Sequence, residues 1–145
     1  MKQLASEDAG RVDTVPKSVR SGIMSRVRSK DTKPELIVRR IVYALGCRYR
    51  LHVKGIPGNP DLVFRSRKKV ILVHGCFWHG HSCARGKRPS SNIEFWEEKL
   101  SKNQDRDKRI VAKLLGSGWG VLTVWECETR NADDLTARLR KFLDV

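Results

Sequence analysis

The stretch from Val70 to Cys83, V-I-L-V-H-G-C-F-W-H-G-H-S-C, constrains the fold of this chain more than any other part of the sequence. Its first four residues are apolar and mostly β-branched, which predicts a buried strand. The residues that follow pack three histidines, two cysteines and a Phe-Trp pair into a loop. Loops at strand ends commonly carry chemistry, because the strand is rigid and the loop can be shaped. We therefore expect the functional site at this end of the strand.

Length and composition indicate one globular domain. The chain has 145 residues, of which 39% are hydrophobic and 32% charged, as is typical of a folded protein. Residues 1–16 are polar and predict a flexible N-terminal arm, which leaves residues 17–145 as a single domain. The sequence contains neither a run of 18 apolar residues nor the apolar core of a signal peptide. We therefore expect a soluble, cytoplasmic, nucleoid-associated protein without a membrane partner.

The net charge of +14 is unevenly distributed along the chain. Residues 17–54 carry eleven Lys or Arg against two acids, and residues 65–88 carry seven against none. From residue 92 to the end there are ten of each sign. A cationic face on the first two thirds of the chain favours nucleic acid as the partner over the alternative of ordinary solubility charge.

Asp61 is the one carboxylate between Glu35 and Glu94. An acid within a cationic field would repel the phosphates that the field attracts, and a bound divalent cation would remove that conflict. The surrounding sequence predicts a hairpin, with strands over residues 61–64 and 69–73. Because the ends of an antiparallel hairpin are neighbours, we expect Asp61 beside His74.

Further elements are predicted on the N-terminal side of this hairpin. The run T-K-P-E is a capping box that opens a helix over residues 32–45, and Gly46 ends it. Glu35 then acts either as a cap alone or also in the site. Residues 18–28 predict a short basic helix, and residues 47–53 predict a first strand.

A long amphipathic helix is predicted after the histidine loop. A second capping box, Ser91 to Glu94, marks its start, and the helix should run to about Leu115. Asn103 and Asp107 interrupt its apolar stripe and indicate a polar site midway along the helix. The inward stripe consists of Ile93, Trp96, Leu100, Asn103, Asp107, Ile110 and Leu114.

The remaining stretches complete an α/β fold. Residues 85–89 are expected to form a solvated basic linker. Residues 121–125 predict another buried strand, and Asn131 is expected to cap a final amphipathic helix. Strands and helices in this order predict a central mixed β-sheet flanked by helices.

The cysteines indicate a metal site and not disulfides. Cys76, His81 and Cys83 lie close together in the sequence, and a fourth ligand would close a tetrahedral zinc site in a reducing compartment. Cys127 follows a strand that would lie parallel to the strand before the loop, whereas Cys47 is expected to be a buried thiol. Four protein ligands leave no open position, so this zinc would be structural. The alternative is a set of unrelated cysteines.

A hydrolytic site overlaps this loop. Asp61 would hold Mg²⁺, and His74 and His79 would be available for proton transfer or for binding metal-bound water. Asp107 could orient one of these histidines through its ring N–H.

Phe77 and Trp78 belong to neither site. They either pack beneath the zinc loop or insert between base pairs as apolar wedges. Met24, in the predicted basic helix, could join such a wedge. Unstacking is least costly at a mismatch, so a wedge would favour damaged duplexes.

The chain resembles the very-short-patch-repair (Vsr) mismatch endonucleases. The resemblance lies in Pro60-Asp61, in I-L-V-H-G-C-F-W-H-G-H-S-C over residues 71–83, and in V-W-E-C over residues 124–127. It implies a restriction-endonuclease-like fold of the PD-(D/E)XK class. It also implies a Mg²⁺-dependent, strand-specific nick 5′ of the thymine in T:G mispairs left by deamination of 5-methylcytosine. Such a nick starts very-short-patch repair, with downstream repair proteins as further partners.

The resemblance also implies roles for individual residues. Asp61 and the backbone carbonyl of Val73 would bind the catalytic Mg²⁺, and His74 and Glu35 would hold metal-bound water. His79 and Asp107 would serve the nucleophile. The structural Zn²⁺ would be held by Cys76, His81, Cys83 and Cys127, and the wedge would be formed by Met24, Phe77 and Trp78.

Two rival functions remain open at this point. One is a less selective nuclease of the same fold, and the other is a zinc-stabilised DNA-binding module without catalysis. Because a nick on one strand needs a single active site, we expect a monomer.

Overall fold

The structure is a computed structural model, of which residues 31–145 are described. The predicted arm, the predicted basic helix over 18–28 and Met24 lie outside the described residues. The helices and strands are α1 (Lys33–Ala44), β1 (Leu62–Phe64), β2 (Lys69–His74), α2 (Ile93–Gly116), β3 (Gly120–Trp125) and α3 (Ala132–Leu143). Short 3-10 helices span Ala84–Gly86 and Glu126–Arg130. None of the helices between residues 31 and 145 is both long and apolar enough to cross a bilayer.

The strands form one mixed sheet with β2 in the centre. β1 pairs antiparallel with β2, with Leu62 opposite Ile71, and β3 pairs parallel with β2, with Leu122 opposite Ile71. The predicted hairpin and the predicted parallel neighbour are both confirmed. Both pairings bring the predicted site residues of these strands to one end of the sheet, at the carboxyl end of β2.

Side chains alternate between the two faces of the sheet, and each face has its own apolar cluster. On one face, Ile71 packs with residues of α1 and α3, including Val38 and Leu139. On the other face, Val70 and Leu72 pack against α2. The helices therefore cover both faces, and the α/β class predicted from the sequence is confirmed.

The region around α1 agrees with the sequence prediction at the helix and differs after it. Thr32 and Glu35 form the expected capping box, and Gly46 follows with a φ of 85°. The first strand predicted over residues 47–53 is wrong, because this stretch makes only an isolated bridge between Arg50 and Val63. β1 is three residues long and offers little edge to pair with.

The start of α2 also differs from the prediction. The capping box at Ser91 to Glu94 is wrong: Asn92 is the N-cap in a left-handed conformation, and its side chain does not cap the first turn. Ile93 is 55% exposed and so does not belong to the inward stripe. The rest of the apolar stripe is confirmed, with Trp96 and Leu100 buried.

Two further stretches complete the comparison. The solvated linker predicted over residues 85–89 is wrong at Gly86, which is buried beside the histidine loop. The cap at Asn131 is confirmed, since its side chain accepts a hydrogen bond of 3.1 Å from the backbone N–H of Asp134.

Candidate functional site

A cavity of about 690 Å³ opens at the carboxyl end of β2. Its wall combines the first turn of α1, the loop before β1, the end of β2, the histidine loop and the middle of α2. Elements distant in the sequence thus converge on one space. It contains every residue predicted for the hydrolytic site: Glu35, Asp61, Val73, His74, His79 and Asp107.

The Asp61 carboxylate is held at the end of the hairpin. Its Oδ2 accepts a hydrogen bond of 2.6 Å from the backbone N–H of Val73. Burial raises the pKa of Asp61 to about 7, and the nearby Glu35 carboxylate adds to this effect while the Val73 hydrogen bond opposes it. Two carboxylates that share one poorly solvated space are a typical environment for a divalent cation.

Glu35 caps α1 and also lies in the wall of the cavity. Its carboxylate accepts a hydrogen bond of 3.4 Å from the Thr32 backbone N–H, which closes the capping box, and another of 2.9 Å from the Thr32 hydroxyl. It also lies 3.4 Å from Arg39. Glu35 is only 3% exposed and lines the cavity with Asp61. The helix cap therefore also positions an acid in the cavity.

The two histidines of the cavity are stacked on each other. The rings of His74 and His79 are 3.8 Å apart and nearly parallel. Burial lowers the pKa of His74 to about 4, and the proximity of His79 contributes. His74 is therefore neutral near pH 7, and a neutral imidazole can accept a proton or bind a metal ion.

His79 is oriented by Asp107 on α2. The His79 Nδ1 and Asp107 Oδ2 atoms are 2.5 Å apart. Because an ionised carboxylate only accepts hydrogen bonds, Nδ1–H of His79 is the donor. This tautomer leaves Nε2 with a lone pair, so His79 is arranged to accept a proton.

The middle of α2 also holds the backbone of the histidine loop. Asn103 donates a hydrogen bond of 3.0 Å to the carbonyl of Trp78, and Gln104 donates one of 3.1 Å to the carbonyl of Gly80. Asn103 and Asp107 thus explain the polar interruptions in the apolar stripe. Gln104 was missed, since nothing in the sequence separates it from the solvated side chains of α2.

The second predicted site is a cluster of sulfur and nitrogen ligands beside the cavity. One ligand atom from each residue lies within 4.8 Å of all the others, and all four cysteines of the chain are thiols. Burial raises the pKa of Cys76 to about 12 and also raises the pKa of Cys127. The members of the cluster are Cys76, His81, Cys83 and Cys127.

This donor set suits zinc. Three sulfurs and one imidazole are ligands that Zn²⁺ prefers, and four ligands close a tetrahedron. Cys47 is buried in the main core, as predicted, and lies outside the cluster. Cys127 reaches the cluster because β3 runs parallel to β2.

Trp125, at the end of β3, connects the two sites. Its ring stacks on His81 at 4.2 Å and meets His74 edge-on at 5.3 Å. Trp125 was expected in a buried strand and belongs to the V-W-E-C motif, but no contact with the histidines was predicted for it. Its position two residues before Cys127, a predicted zinc ligand, was the available signal.

The Phe77 and Trp78 side chains pack in a small aromatic cluster. Phe77 is 1% exposed and contacts Trp78 and Trp96 edge-on at 5.1 and 5.3 Å. Trp78 is partly buried against the same cluster. Of the two alternatives from the sequence, the structure has the packed arrangement for Phe77.

Known proteins similar to this chain are mismatch or nicking endonucleases. The family model for the DNA mismatch endonuclease Vsr matches residues 12–85. The DNA mismatch endonuclease Vsr of Escherichia coli (strain K12) is 40% identical over 124 residues, which cover 86% of this chain and 80% of that protein. The Type II nicking enzyme V.XorIIP of Xanthomonas oryzae pv. oryzae is 49% identical over 122 residues, which cover 84% of this chain and 90% of that protein.

A solved structure supports the same assignment at the level of the fold. The catalytic domain of the homing endonuclease I-Bth0305I matches with a TM-score of 0.53 and 25% sequence identity, and the match covers 77% of this chain and 94% of that domain. The expected endonuclease-like α/β core, with its mixed sheet and flanking helices, is thereby confirmed. By sequence, this chain belongs to the DNA mismatch endonuclease Vsr family.

Proposed function

We propose that the protein is a strand-specific endonuclease that nicks duplex DNA 5′ of the thymine in T:G mispairs and so starts very-short-patch repair. It would act as a monomer on DNA in the cytoplasm and hand the nick to downstream repair proteins. Membership of the mismatch endonuclease family and the similarity to nicking enzymes support this proposal. The observation that carries it is the convergence of Asp61, Glu35 and the two stacked histidines on one cavity.

The cavity fits a magnesium ion. Burial raises the pKa of Asp61, so a bound cation would stabilise its ionised form. The Val73 carbonyl, in the same wall, is the expected second oxygen ligand, and the neighbouring Glu35 carboxylate would add to the negative charge around the ion. Bound there, Mg²⁺ would neutralise charge on the scissile phosphate and lower the pKa of a coordinated water.

The side chains of the chain would perform the remaining chemistry. Nε2 of His79 would accept the proton of the attacking water, while Asp107 keeps the ring oriented and stabilises the imidazolium that forms. Glu35 and the neutral imidazole of His74 would hold a second, metal-bound water by hydrogen bonds. Attack in line with the leaving oxygen breaks the bond between phosphorus and O3′, which leaves a 5′-phosphate and a 3′-hydroxyl.

The Cys/His cluster would serve the cavity by holding the histidine loop. With four protein ligands it has no open position for substrate, so its zinc would be structural. Recognition of the mismatch would fall to Met24, Phe77 and Trp78 as the wedge. For Phe77 this requires that the aromatic cluster opens on DNA, since its ring is buried.

A comparison of nicking on matched duplexes tests the proposal. The wild-type protein with Mg²⁺ should nick a T:G duplex on the thymine strand and leave the T:A duplex of the same flanking sequence intact. Asp61→Asn should lower the nicking rate on the order of 10³-fold, because the site loses several kcal/mol of charge stabilisation. DNA binding should persist in this variant.

Asp105→Asn is the matched control, since it removes one exposed carboxylate from α2 and should nick normally. Equal nicking of T:G and T:A duplexes would instead indicate the less selective nuclease. Binding without nicking by the wild-type protein would indicate the DNA-binding module.

A further inference from the structure

The outer surface of α2 carries a row of cations that the proposed chemistry does not use. At 3.6 residues per turn, these side chains fall within a sector of about 80° around the helix axis. Four of them are exposed and Lys99 is partly so. The row, called the α2 ridge below, consists of Lys99, Lys102, Arg106, Arg109 and Lys113.

Charges on α2 are separated by sign, which is unusual for a merely solvated helix. The α2 ridge contains no acid. The neighbouring exposed sector of about 100° holds one cation, Lys108. Its acids are Glu94, Glu97, Glu98 and Asp105.

Most of the α2 ridge is available to an external anion. Lys102 pairs with Glu98 at 3.0 Å, but both side chains are more than two-thirds exposed, and such pairs are weak. Among the described side chains, Arg106 donates a hydrogen bond to Asn103 Oδ1 at 3.2 Å and has no ion-pair partner. Within residues 31–145, Arg109 and Lys113 have no ion-pair partner.

The α2 ridge passes directly by the cavity. Arg106 lines the cavity together with Asp107. Lys99 and Lys102 lie on the side of the aromatic cluster, near Trp96, while Arg109 and Lys113 lie on the far side. From Lys99 to Lys113 the ridge is about 21 Å long, the length of roughly six base pairs of B-DNA.

We propose that the α2 ridge binds the phosphate backbone of duplex DNA on both sides of the scissile phosphate. Arg106 contacts the phosphates next to the cavity, and Arg109 and Lys113 contact backbone remote from the mismatch. The ridge therefore sets affinity and the position of the duplex without reading its sequence. This inference rests on the proposed function in that DNA is the substrate.

The double variant Arg109→Gln/Lys113→Gln tests the ridge where it is farthest from the mismatch. Each lost phosphate contact should reduce the magnitude of the slope of log binding constant against log salt concentration by about 0.9. The slope of the double variant should therefore be smaller in magnitude by nearly 2 than that of the wild type. Its affinity at about 50 mM salt should fall on the order of 10-fold, by the same factor for T:G and T:A duplexes. Fluorescence anisotropy with the full chain and labelled duplexes measures both quantities.

Lys108→Gln/Lys141→Gln is the control, because it removes the same charge from exposed positions outside the ridge. It should keep nearly the wild-type affinity and slope. The inference is overturned if the control loses as much affinity as the ridge variant, or if the ridge variant keeps the wild-type slope. A thermal melt of each variant shows that the helix remains folded.

The same assay separates this inference from the proposed function. Binding to the matched T:A duplex involves no mismatch and no cleavage. If the wild-type protein fails to nick T:G duplexes but the ridge variant still loses salt dependence, the α2 ridge stands and the mismatch proposal fails.

Discussion

At the scale of single residues, the Asp61 carboxylate is poorly solvated, which disfavours its charged form, but it lines a cavity that a cation can enter. Its pKa is raised mainly by burial, and the Val73 N–H compensates only in part. A folded chain without a bound cation therefore pays in stability for holding this carboxylate ionised. The residue proposed to support hydrolysis should thus weaken the unliganded fold.

The stability of the metal-free protein tests this conflict. Because the folded-state pKa of about 7 exceeds the ordinary value of 3.8, the folded protein retains a proton that the unfolded chain has lost. Stability should fall as pH rises from about 4 to about 7, by at most about 4 kcal/mol. Asp61→Asn should remove this loss, because an amide does not ionise in this range, and its oxygen can still accept the Val73 hydrogen bond.

Urea unfolding in EDTA at pH 5 and pH 8 provides the measurement. His74 has a lowered pKa and therefore has the opposite effect on stability. Its contribution to the free energy of unfolding is lost as pH falls from 6.5 towards about 4. Both proteins retain His74, so the difference between them isolates Asp61. Identical pH dependence in the two proteins would contradict the assignment.

At the scale of elements, the histidine loop is predictable in content but not in packing. The strand before it and the parallel strand that supplies Cys127 follow from apolar runs and chain order. The burial of Gly86 and Phe77 does not, because each depends on contacts with distant segments. The capping box predicted from the Ser-x-x-Glu pattern was also wrong, because the backbone at Asn92 adopts a left-handed conformation that this pattern does not predict.

Gly86 gives a test of the loop as one unit. A Cβ at this position would lie 1.9 Å from the carbonyl oxygen of His81 and 3.2 Å from that of Cys76, so backbone must move. Gly86→Ala should cost about 1–3 kcal/mol and lower the zinc content of the purified protein. Metal analysis and thermal melts measure the two effects.

Gly116→Ala is the matched control. Gly116 is the last residue of α2, and a Cβ there meets no atom within 4 Å. This variant should keep its zinc and be neutral or slightly more stable, because Ala favours helix. Full zinc content and unchanged stability in Gly86→Ala would show that the loop tolerates the shift.

At the scale of the whole molecule, the larger apolar cluster and the strand residues of the candidate site lie on opposite faces of the sheet. The larger apolar cluster joins α1 and α3 to one face. By the alternation of side chains along β1 and β2, Asp61 and His74 belong to the other face, which α2 covers. The sequence predicted which residues would be apolar and face inward. It did not predict which face of the sheet each residue would occupy, because that depends on the register of β1 and β3 against β2.

Two leucine truncations separate these roles. Leu139 lies in the larger cluster and Leu100 beneath Trp78, and both are 0% exposed. Leu139→Ala should cost about 2–5 kcal/mol yet keep the wild-type nicking rate at a temperature where it is folded. Leu100→Ala should lower nicking more, because it loosens the aromatic cluster that supports the loop.

Denaturant unfolding and nicking at low temperature measure this pair of effects. Equal loss of nicking in the two variants, after correction for the unfolded fraction, would show that the two clusters are not functionally distinct.

The loop between β2 and the Cys/His cluster has a consequence for anyone who engineers this protein. His79 faces the cavity and His81 faces the sulfur ligands, with the Gly80 carbonyl held between them by Gln104. An insertion or deletion of one residue between them would therefore move either His79 out of the cavity or His81 away from the sulfur ligands. A transplant of the proposed nuclease centre into another scaffold would therefore have to carry the whole loop, the Cys/His cluster and the anchoring helix α2 together.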